Sequence, residues 1–382
     1  MINRKICVVT GSRSEYGLFY PVLLKIKESS KLQLQLITTS SHHSSQHGFT
    51  FKEIENDGFA IDDKINNLSS TDTRSAIVKS TGLLTSLLSD SFEKLQPDIV
   101  LLLGDRYETH AAAICALLMN IPIAHIHGGE ITEGAVDEQI RHSITKMSYL
   151  HFCAAEPYRE RVIQMGEDPT RVFNVGAPGI DNIVNFNLLT KDNLEEELNW
   201  KFSSNSALFT YHPVTLSETN VINDLNIILS ILEKSNLNIL FTYANADLGG
   251  AIINNKIENF CKLRPEKYKV VKNLGQLKYL SAMKHADLLI GNSSSGIIEA
   301  ASFKKPVVNI GDRQKGRLRG KNVIDCNLNS LEESIKIAVS DGFKDEIKNI
   351  KNIYGEGSAS EVILNKLINE PISIIKKFRD QF

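Results

Sequence analysis

The chain has 382 residues, 42% of them apolar and 23% charged, and its formal net charge is −2. This length suits two domains rather than one core, and the near-zero charge excludes a general electrostatic surface for nucleic acid. No apolar run is long enough to span a bilayer. The five cysteines are scattered and form no CxxC pair. The N-terminal stretch reads MINRKICVVTGSR and enters a predicted strand without a signal-peptide pattern. We therefore expect a cytoplasmic protein with reduced thiols, no nucleic-acid partner and no membrane partner.

The first predicted strand, residues 5–10, is followed by a glycine-bearing loop, residues 11–17, and a helix from about Leu18. A strand, a loop and a helix N-terminus in this order attract anions, although the GxGxxG dinucleotide fingerprint is absent. Arg13 in this loop is therefore either a phosphate or carboxylate ligand or an ordinary exposed arginine, and the loop alone does not decide between them.

Strands and helices alternate through the rest of the first half. Strands are predicted at residues 32–37, 99–103, 121–126, 149–154 and 172–175, with helices between them and an irregular connection at 58–73. Glycine and proline at 176–179 resist both helix and strand, so a domain boundary is predicted here, with a first domain over 1–178.

The centre of this half, residues 99–147, has the pattern of a βαβ unit. Both of its apolar strands are followed directly by ionisable residues, which are disfavoured in a buried core. In such units ligands lie outside the carboxyl ends of the strands. The candidates for chemistry are therefore Asp105, Arg106, His127, Glu130, Asp137, Arg141 and His142.

The second half repeats the alternation, with strands predicted at residues 207–211, 238–243, 268–272, 288–290 and 307–310. It predicts a second domain over 179–365, and a C-terminal helix over 366–382 that packs back on the first domain. The tail, residues 360–382, is expected to be helical with a proline break at Pro371. Two βα halves predict an α/β protein with two Rossmann-like, doubly wound parallel sheets and an active site in the cleft between them.

A second cluster follows the strand at 288–290, where Ser293, Ser294, Ser295 and Gly296 open a helix predicted to continue over 297–303. Open backbone N–H groups and hydroxyls at a helix N-terminus favour a diphosphate, whereas plain N-capping explains one serine but not three. Glu299 on this helix either accepts hydrogen bonds from ribose hydroxyls or complements the helix dipole. The basic loop at 311–320, which contains Arg313, is either a second anion site or a solvated loop.

Six motifs stand together in order along the chain: GDR, HIHGGE, DEQIRHSITKMS, HP, GNSSSG and GDRQKGR. Each alone is weak, but together they resemble the hydrolysing branch of the UDP-N-acetylglucosamine 2-epimerases over about residues 4 to 365. The resemblance implies the two-domain glycosyltransferase-B fold, with UDP held mainly by the second domain. It also implies a UDP-sugar substrate, no cofactor, no metal and a homodimer or homotetramer.

The reaction that the resemblance implies converts UDP-N-acetylglucosamine and water into N-acetylmannosamine and UDP, for sialic acid biosynthesis. UDP leaves by anti elimination through 2-acetamidoglucal, which is then hydrated. A sister group acts on UDP-N,N′-diacetylbacillosamine on the way to legionaminic acid, and no residue in the sequence decides between the two substrates.

The resemblance also implies roles for particular residues. Carboxylates from separate loops can push one another's pKa values apart, so that one is an acid while another is a base; those in the matching positions are Asp105, Glu130 and Asp137. The matching diphosphate ligands are Arg13, His212, Ser293, Ser294 and Arg313. Glu299 matches the ribose ligand, Arg106 and His142 complete the sugar end, and Asn245 lies where family members touch the substrate.

One position departs from the family pattern. Many hydrolysing members read HIEGGE, with a catalytic carboxylate where this chain has His127. Histidine can move protons near neutral pH. Either His127 is an acid–base residue, or Glu130 and Asp137 do this work.

Three other functions are weighed against the epimerase. A glycosyltransferase would share the fold and the UDP site, but the acidic residues fit elimination and hydration better than activation of an acceptor. A metal hydrolase would use His125, His127 and His142. His125 and His127 are expected to share a strand face, but the spacing of the three does not give a full ligand set. A non-catalytic UDP-sugar sensor would not need the carboxylates.

Overall fold

The structure is a computed structural model that describes residues 3–45, 48–68, 73–133, 135–213, 221–244 and 250–380. Its contacts divide the chain into two compact units. The first unit comprises residues 1–130, 137–182 and 354–382, and the second comprises residues 131–136 and 183–353. Each unit is therefore assembled from more than one stretch of the chain.

The first unit is built on a parallel sheet. Its described strands are β1 (Arg4–Thr10), β2 (Leu32–Thr39), β3 (Asp63–Ile65), β4 (Ile99–Leu103), β5 (Ile123–Ile126), β6 (Leu150–Cys153) and β7 (Val172–Asn174). Their order is β3-β2-β1-β4-β5-β6-β7. Side chains of β1 alternate between two apolar clusters, with Ile6 and Val8 in one and Cys7 and Val9 in the other. The sheet is therefore buried on both faces, as parallel sheets are.

Helices cover both faces of this sheet. They are α1 (Arg13–Glu28), α2 (Phe51–Asn56), α3 (Arg74–Leu95), α4 (Tyr107–Leu118), α5 (Asp137–Met147), α6 (Glu156–Gln164) and α7 (Pro178–Asn185), whose last three residues enter the second unit. The strand order matches the doubly wound dinucleotide-binding topology, in which ligands bind beyond the carboxyl ends of the strands.

The second unit has a sheet of the same kind. Its described strands are β8 (Ser206–Thr210), β9 (Asn238–Thr242), β10 (Tyr268–Val271), β11 (Leu288–Gly291), β12 (Val307–Ile310) and β13 (Val323–Cys326), in the order β10-β9-β8-β11-β12-β13. Its described helices are α8 (Lys191–Leu198), α9 (Val221–Lys234), α10 (Gly250–Cys261), α11 (Gly275–His285), α12 (Ser294–Ile298), α13 (Leu331–Val339) and α14 (Asp341–Ile347). The predicted fold class, two doubly wound parallel α/β sheets, is confirmed.

Two short strands were missed by the sequence patterns. The stretch 58–73, predicted to be irregular, contains β3, and no strand was predicted at β13. Both are edge strands of only three and four residues. An edge strand this short carries no long buried apolar run, which is the signal that identified the central strands.

The domain bounds differ from the prediction of 1–178 and 179–365. Pro178 begins α7 rather than breaking the chain, because proline suits the first turn of a helix. Residues 354–365 belong to the first unit. There α15 (Ala359–Asn369) buries Ile363 in the cluster that contains Phe19, and the Asp181 carboxylate accepts hydrogen bonds from the backbone N–H groups of its first two residues.

The predicted C-terminal helix over 366–382 is wrong in its extent. Helix α15 ends at Asn369, and the described residues that follow, 370–380, form no helix. Pro371 accounts for this end, since proline disfavours helical geometry in the residue before it. The tail is fixed instead by Lys376, whose ammonium lies 2.8 Å from the buried Glu167 carboxylate of the same unit.

The five cysteines are all unpaired, in agreement with the expected reduced thiols, and all five are buried. Within the described residues, no helix has the length and apolar character needed to cross a membrane.

Candidate active site

The loops that carry the first-unit candidates meet because their strands are neighbours. Leu103 of β4 pairs with Ile126 of β5, and the backbone N–H of Gly104 donates to the Ile126 carbonyl at 3.0 Å. Gly104 has a φ of +81°, which suits glycine, so the chain turns sharply out of β4. Asp105 and His127 therefore begin adjacent loops at the carboxyl edge of the sheet.

Arg141 on α5 joins these two loops. Its side chain is 1% exposed, and its guanidinium pairs with the Asp105 carboxylate. The same guanidinium donates to the backbone carbonyl of Glu130 at 2.8 Å and to the Glu138 carboxylate at 3.1 Å. One buried cation thus fixes Asp105, the turn at Glu130 and the start of α5, so that the predicted residues of three segments are brought together.

His127 and Glu130 form a buried pair within this group. His127 Nδ1 lies 2.5 Å from Glu130 Oε1, and the two residues are 6% and 2% exposed. Only glycine fits at the intervening position 129, because a Cβ there would lie 2.3 Å from the Tyr158 carbonyl oxygen. The expectation that His125 and His127 share a strand face is wrong, since β5 ends at Ile126 and His127 has a φ of +67°.

Asp137 and His142 lie on α5, with Asp137 as its first residue. Burial, followed by the negative charge of Asp105, raises the pKa of the Asp137 carboxyl. A raised pKa favours a carboxyl that keeps its proton and can give it away. His142 Nε2 lies 3.0 Å from the Glu138 carboxylate, so Glu138 links His142 to Arg141.

Arg106 is held by a carboxylate that the sequence analysis did not single out. Its Nε and Nη2 donate to the two oxygens of the buried Glu108 at 3.1 and 3.3 Å. Close by, Glu15 is also buried, and its pKa is raised to about 7 by burial and by the charge of Glu108. The two acids and Arg106 form a group at the ends of β1 and β4.

Arg13 lies in the first turn of α1 rather than in a loop. The helix begins at Arg13 instead of near Leu18, because Ser12 and Glu15 form a capping box. The serine, followed three residues later by a glutamate, is the sequence signal that could have found both the helix start and Glu15. Burial lowers the pKa of Arg13, and the charge of Glu53 opposes this shift.

The serine cluster of the second unit follows β11. Ser293 caps α12, its Oγ accepting from the backbone N–H of Ser295 at 3.4 Å, and the Tyr279 hydroxyl lies 2.5 Å from Ser295 Oγ. Ser294 starts the helix, and a Cβ at Gly296 would lie 3.1 Å from Val307. The helix is thus shorter and earlier than predicted, with five residues and a 3₁₀ turn (Ala300–Phe303) after it.

Glu299 is consequently the C-cap of α12 and not a residue of its first turn. The alternative that it complements the N-terminal dipole is therefore wrong, because it lies at the opposite end of the helix. Its carboxyl is buried, and burial raises its pKa to about 8.

Asn292 ties together three loops of this unit. Its amide Nδ2 donates to the His212 carbonyl at 2.8 Å, and its Oδ1 accepts from the His212 backbone N–H at 2.7 Å. Its own carbonyl accepts from Arg313 at 3.1 Å and from Gln314 at 2.9 Å. Burial and the charge of Arg313 lower the pKa of His212 well below its usual value, so the imidazole is neutral. The predicted His212, Ser293 and Arg313 therefore lie together, held by the unpredicted Asn292.

Asn245, predicted to contact the substrate, lies outside the described residues. No group of three or more histidine, cysteine, aspartate or glutamate side chains that could hold a metal ion occurs in the described part of the chain.

A family model described as UDP-N-acetylglucosamine 2-epimerase matches residues 24–368. The chain belongs to this family. A protein of Campylobacter jejuni named GDP/UDP-N,N′-diacetylbacillosamine 2-epimerase (hydrolyzing) is 46% identical over 345 residues, 90% of each chain. The polysialic acid biosynthesis protein P7 of Escherichia coli is 39% identical and covers 98% of this chain and 94% of its own length.

A solved structure agrees with this fold. The UDP-GlcNAc 2-epimerase of Neisseria meningitidis, bound to UDP-GlcNAc, superposes with a TM-score of 0.83, covers 96% of this chain and 100% of its own, and is 19% identical. At that identity the likeness shows the fold alone. The predicted family and the coarse activity, a UDP-sugar 2-epimerase, are confirmed by the family match and the two relatives.

Proposed function

We propose that this protein is a hydrolysing 2-epimerase, which converts a nucleotide-linked 2-acetamido sugar and water into UDP and a free sugar inverted at C2. The observation that carries the proposal is the buried group in the first unit, where Asp105, the His127–Glu130 pair and the start of α5 are fixed around Arg141. Ionisable side chains held this rigidly suit transfer of a weakly acidic C2 proton.

The two relatives and the family description favour different substrates, and we rank UDP-N,N′-diacetylbacillosamine first. The support is the 46% identity to a relative named for that sugar, over 90% of both chains. UDP-N-acetylglucosamine, which the sequence resemblance put first, stands second because the family description names it. Since the relative is named for GDP as well as UDP, the nucleotide belongs in the same test.

Within the first unit, we assign the proton chemistry to four residues. Asp137, whose pKa is raised by burial and by Asp105, is suited to hold a proton and donate it. The Asp105 carboxylate, which pairs with the Arg141 guanidinium, is suited to accept one. The hydrogen-bonded His127–Glu130 pair completes the acid–base set, and Arg106 and His142 would contact the sugar.

Within the second unit, we assign binding of the nucleotide to neutral donors and one cation. The diphosphate would take hydrogen bonds from the neutral His212 and the serine hydroxyls at the start of α12, and charge from Arg313. In the first unit, Arg13 is assigned as a phosphate ligand, as the sequence resemblance implies. Glu299 would accept hydrogen bonds from the ribose. The residues assigned to the nucleotide are Arg13, His212, Ser293, Ser294, Ser295, Gly296, Glu299 and Arg313, and Asn245 is assigned to the substrate.

The test is NMR of the products formed from UDP-N,N′-diacetylbacillosamine, GDP-N,N′-diacetylbacillosamine and UDP-N-acetylglucosamine, each alone and in D₂O with a chelator. We expect release of the nucleoside diphosphate, a free sugar with inverted C2 and one deuterium at C2, fastest with the first substrate. Nucleotide release only on adding an acceptor sugar would indicate a glycosyltransferase. Binding without turnover would indicate a sensor, and loss of activity with the chelator a metal hydrolase.

We further propose that the protein acts in the cytoplasm as a homodimer or homotetramer. The five buried, unpaired thiols support a reducing compartment. Light scattering on the purified protein tests the assembly.

A further inference from the structure

The backbone at His127 is unusual for the residue it carries. Strand β5 ends at Ile126, and His127 follows with a φ of +67°, in the left-handed region that side chains other than glycine rarely occupy. Its N–H donates to the Phe152 carbonyl at 3.0 Å, and the Glu130 carbonyl of the same turn is held by Arg141. A conformation of this kind persists only where its surroundings enforce it.

The two nitrogens of this imidazole have different surroundings. Nδ1 lies 2.5 Å from the Glu130 carboxylate, whereas Nε2 is buried with no hydrogen-bond partner among the residues that the structure describes. Two positions earlier, His125 uses both nitrogens, with Gly104 O at 2.7 Å and Thr145 Oγ1 at 3.3 Å. Both ring nitrogens of His125 are therefore hydrogen-bonded in the core, whereas Nε2 of His127 has no partner among the described residues.

Two other histidine–glutamate pairs in the first unit also leave a buried ring nitrogen without a described partner. They are His142–Glu138 at 3.0 Å and His151–Glu167 at 3.2 Å. These histidines lie in a regular helix and a regular strand, and His151 lies under the C-terminal tail rather than among the candidate residues. His127 alone among the three combines the left-handed backbone with the shortest pair distance.

An ionised carboxylate can only accept hydrogen bonds, so the proton between Glu130 and His127 is assigned to Nδ1. This tautomer leaves the lone pair on Nε2, where a base needs it, and a carboxylate behind an imidazole orients it in this way in hydrolases. Resting on the function proposed above, we propose that His127 Nε2 removes the sugar C2 proton and that Glu130 is a positioning residue rather than a second base.

The electrons balance without any further reactant. The C2–H bond breaks and its proton goes to Nε2, the C–H electron pair forms the C1=C2 bond, and the C1–O bond to UDP breaks with its pair leaving on the diphosphate. Water then bonds to C1 and loses a proton to a base, while the double bond takes a proton at C2 from an acid. The imidazolium formed in the first step is stabilised by the Glu130 charge 2.5 Å away.

His127→Asn tests the base. Asparagine tolerates the left-handed backbone and keeps an N–H toward Glu130, but it lacks the second ring nitrogen. We expect UDP release to slow by about 10²- to 10⁴-fold, with KM within a few-fold and no 2-acetamidoglucal formed. The matched control, His151→Asn, removes a buried histidine of the same kind outside the site and leaves kcat within a few-fold. UDP release at the wild-type rate, with or without accumulation of the glucal, would overturn the assignment.

Glu130→Gln and the double variant test the positioning role. If Glu130 acts through His127, the double variant turns over no more slowly than the slower single variant, because residues that act as a unit are not additive. If the two rate losses multiply, Glu130 contributes independently and the positioning role is wrong.

Chemical rescue separates proton transfer from packing. His127→Gly suits a positive φ and leaves room for a free ring. We expect imidazole to restore UDP release at least tenfold and pyrrole, a ring of similar size without a basic nitrogen, to restore none. An equal response to both rings, or to neither, counts against the base.

Failure of the proposed function and failure of the His127 assignment give different results. If wild-type protein releases no nucleotide from any of the three sugar nucleotides, the proposed function fails and this inference fails with it. If the wild type turns over and His127→Asn matches it, only the inference fails.

Discussion

The candidate residues of the two units handle charge in opposite ways. In the first unit the charges are paired: Asp105 with Arg141, Glu108 with Arg106, and Glu130 with His127. In the second unit the contacts are mostly among neutral groups, such as the Tyr279 hydroxyl with the serine hydroxyls and the Asn292 amide with the His212 backbone. Even the buried Glu299 favours its protonated form, because burial raises its pKa to about 8.

This difference fits a division of labour. Paired charges in a buried site fix the protonation state and position of each group, as proton transfer requires. Neutral donors and backbone N–H groups leave a site ready for an incoming polyanion, without internal carboxylates competing for it. We therefore expect variants of the first unit to change turnover and variants of the second unit to change nucleotide affinity.

The largest effect is expected for Asp105→Asn and Asp137→Asn. Each should lower kcat by about 10³-fold while UDP affinity stays within a few-fold, because the removed charge acts on the sugar. Steady-state UDP release and calorimetry with UDP measure the two quantities. The control is Asp90→Asn, which changes an exposed aspartate on α3 and should leave both kcat and UDP affinity unchanged. Near wild-type turnover in both site variants would place the chemistry elsewhere.

The next effect concerns stability. Arg141→Met should lower the free energy of unfolding by about 3–5 kcal/mol, since it leaves the carboxylates of Asp105 and Glu138 without their buried cation. Urea unfolding followed by circular dichroism measures it. Glu332→Gln, which breaks an exposed pair with Lys336 on α13, should leave the free energy of unfolding essentially unchanged, because solvent screens this pair. Equal costs for the two would contradict the distinction between buried and exposed pairs.

A pH effect of a few kcal/mol is expected from Glu299. Its pKa is raised from 4.5 to about 8 in the folded state, so the unfolded chain releases this proton at lower pH. The stability of the protonated form is therefore present below pH 4.5 and lost as pH rises toward 8. Glu299→Gln, an isostere of the neutral acid, should match wild type at pH 5 and exceed it at pH 8 in urea unfolding. A constant difference across this range would argue against a protonated Glu299.

The smallest effect is expected for nucleotide affinity. Arg313→Ala should weaken UDP binding by about 10- to 100-fold, the magnitude of one charge-assisted hydrogen bond, with little change in stability. Lys315→Ala on the same loop, which pairs at the surface with Glu133, is the matched control. If calorimetry shows that Arg313→Ala binds UDP with unchanged affinity, the assignment of Arg313 as a diphosphate ligand is wrong. Among the described residues, Arg313 is the second unit's only predicted cationic ligand.

The sequence alone determined the two βα halves, because short apolar runs bounded by turn residues alternate with segments of helical periodicity. It also determined which residues follow those strands, and hence Asp105, His127, Glu130 and Ser293 as candidates. Edge strands β3 and β13 escaped because each is short and buries only one residue. The sequence predicted that the C-terminal segment returns to the first domain, but it placed the return at residue 366 instead of 354. The earlier return of α15 escaped because the Asp181 carboxylate that holds its start lies 178 residues away in sequence.

Only the tertiary structure decided how these residues are held and in which state. Nothing in the sequence places the Arg141 guanidinium between Asp105 and Glu138. Nor does it show that Glu130 meets one nitrogen of His127 while the other has no partner among the residues that the structure describes. The buried state of Glu15 and Glu299, and so their raised pKa values, likewise depends on neighbours from other segments. The physical reason is that the local pattern specifies periodicity and chain ends, whereas desolvation and charge pairing depend on which distant residues the fold brings within hydrogen-bonding distance.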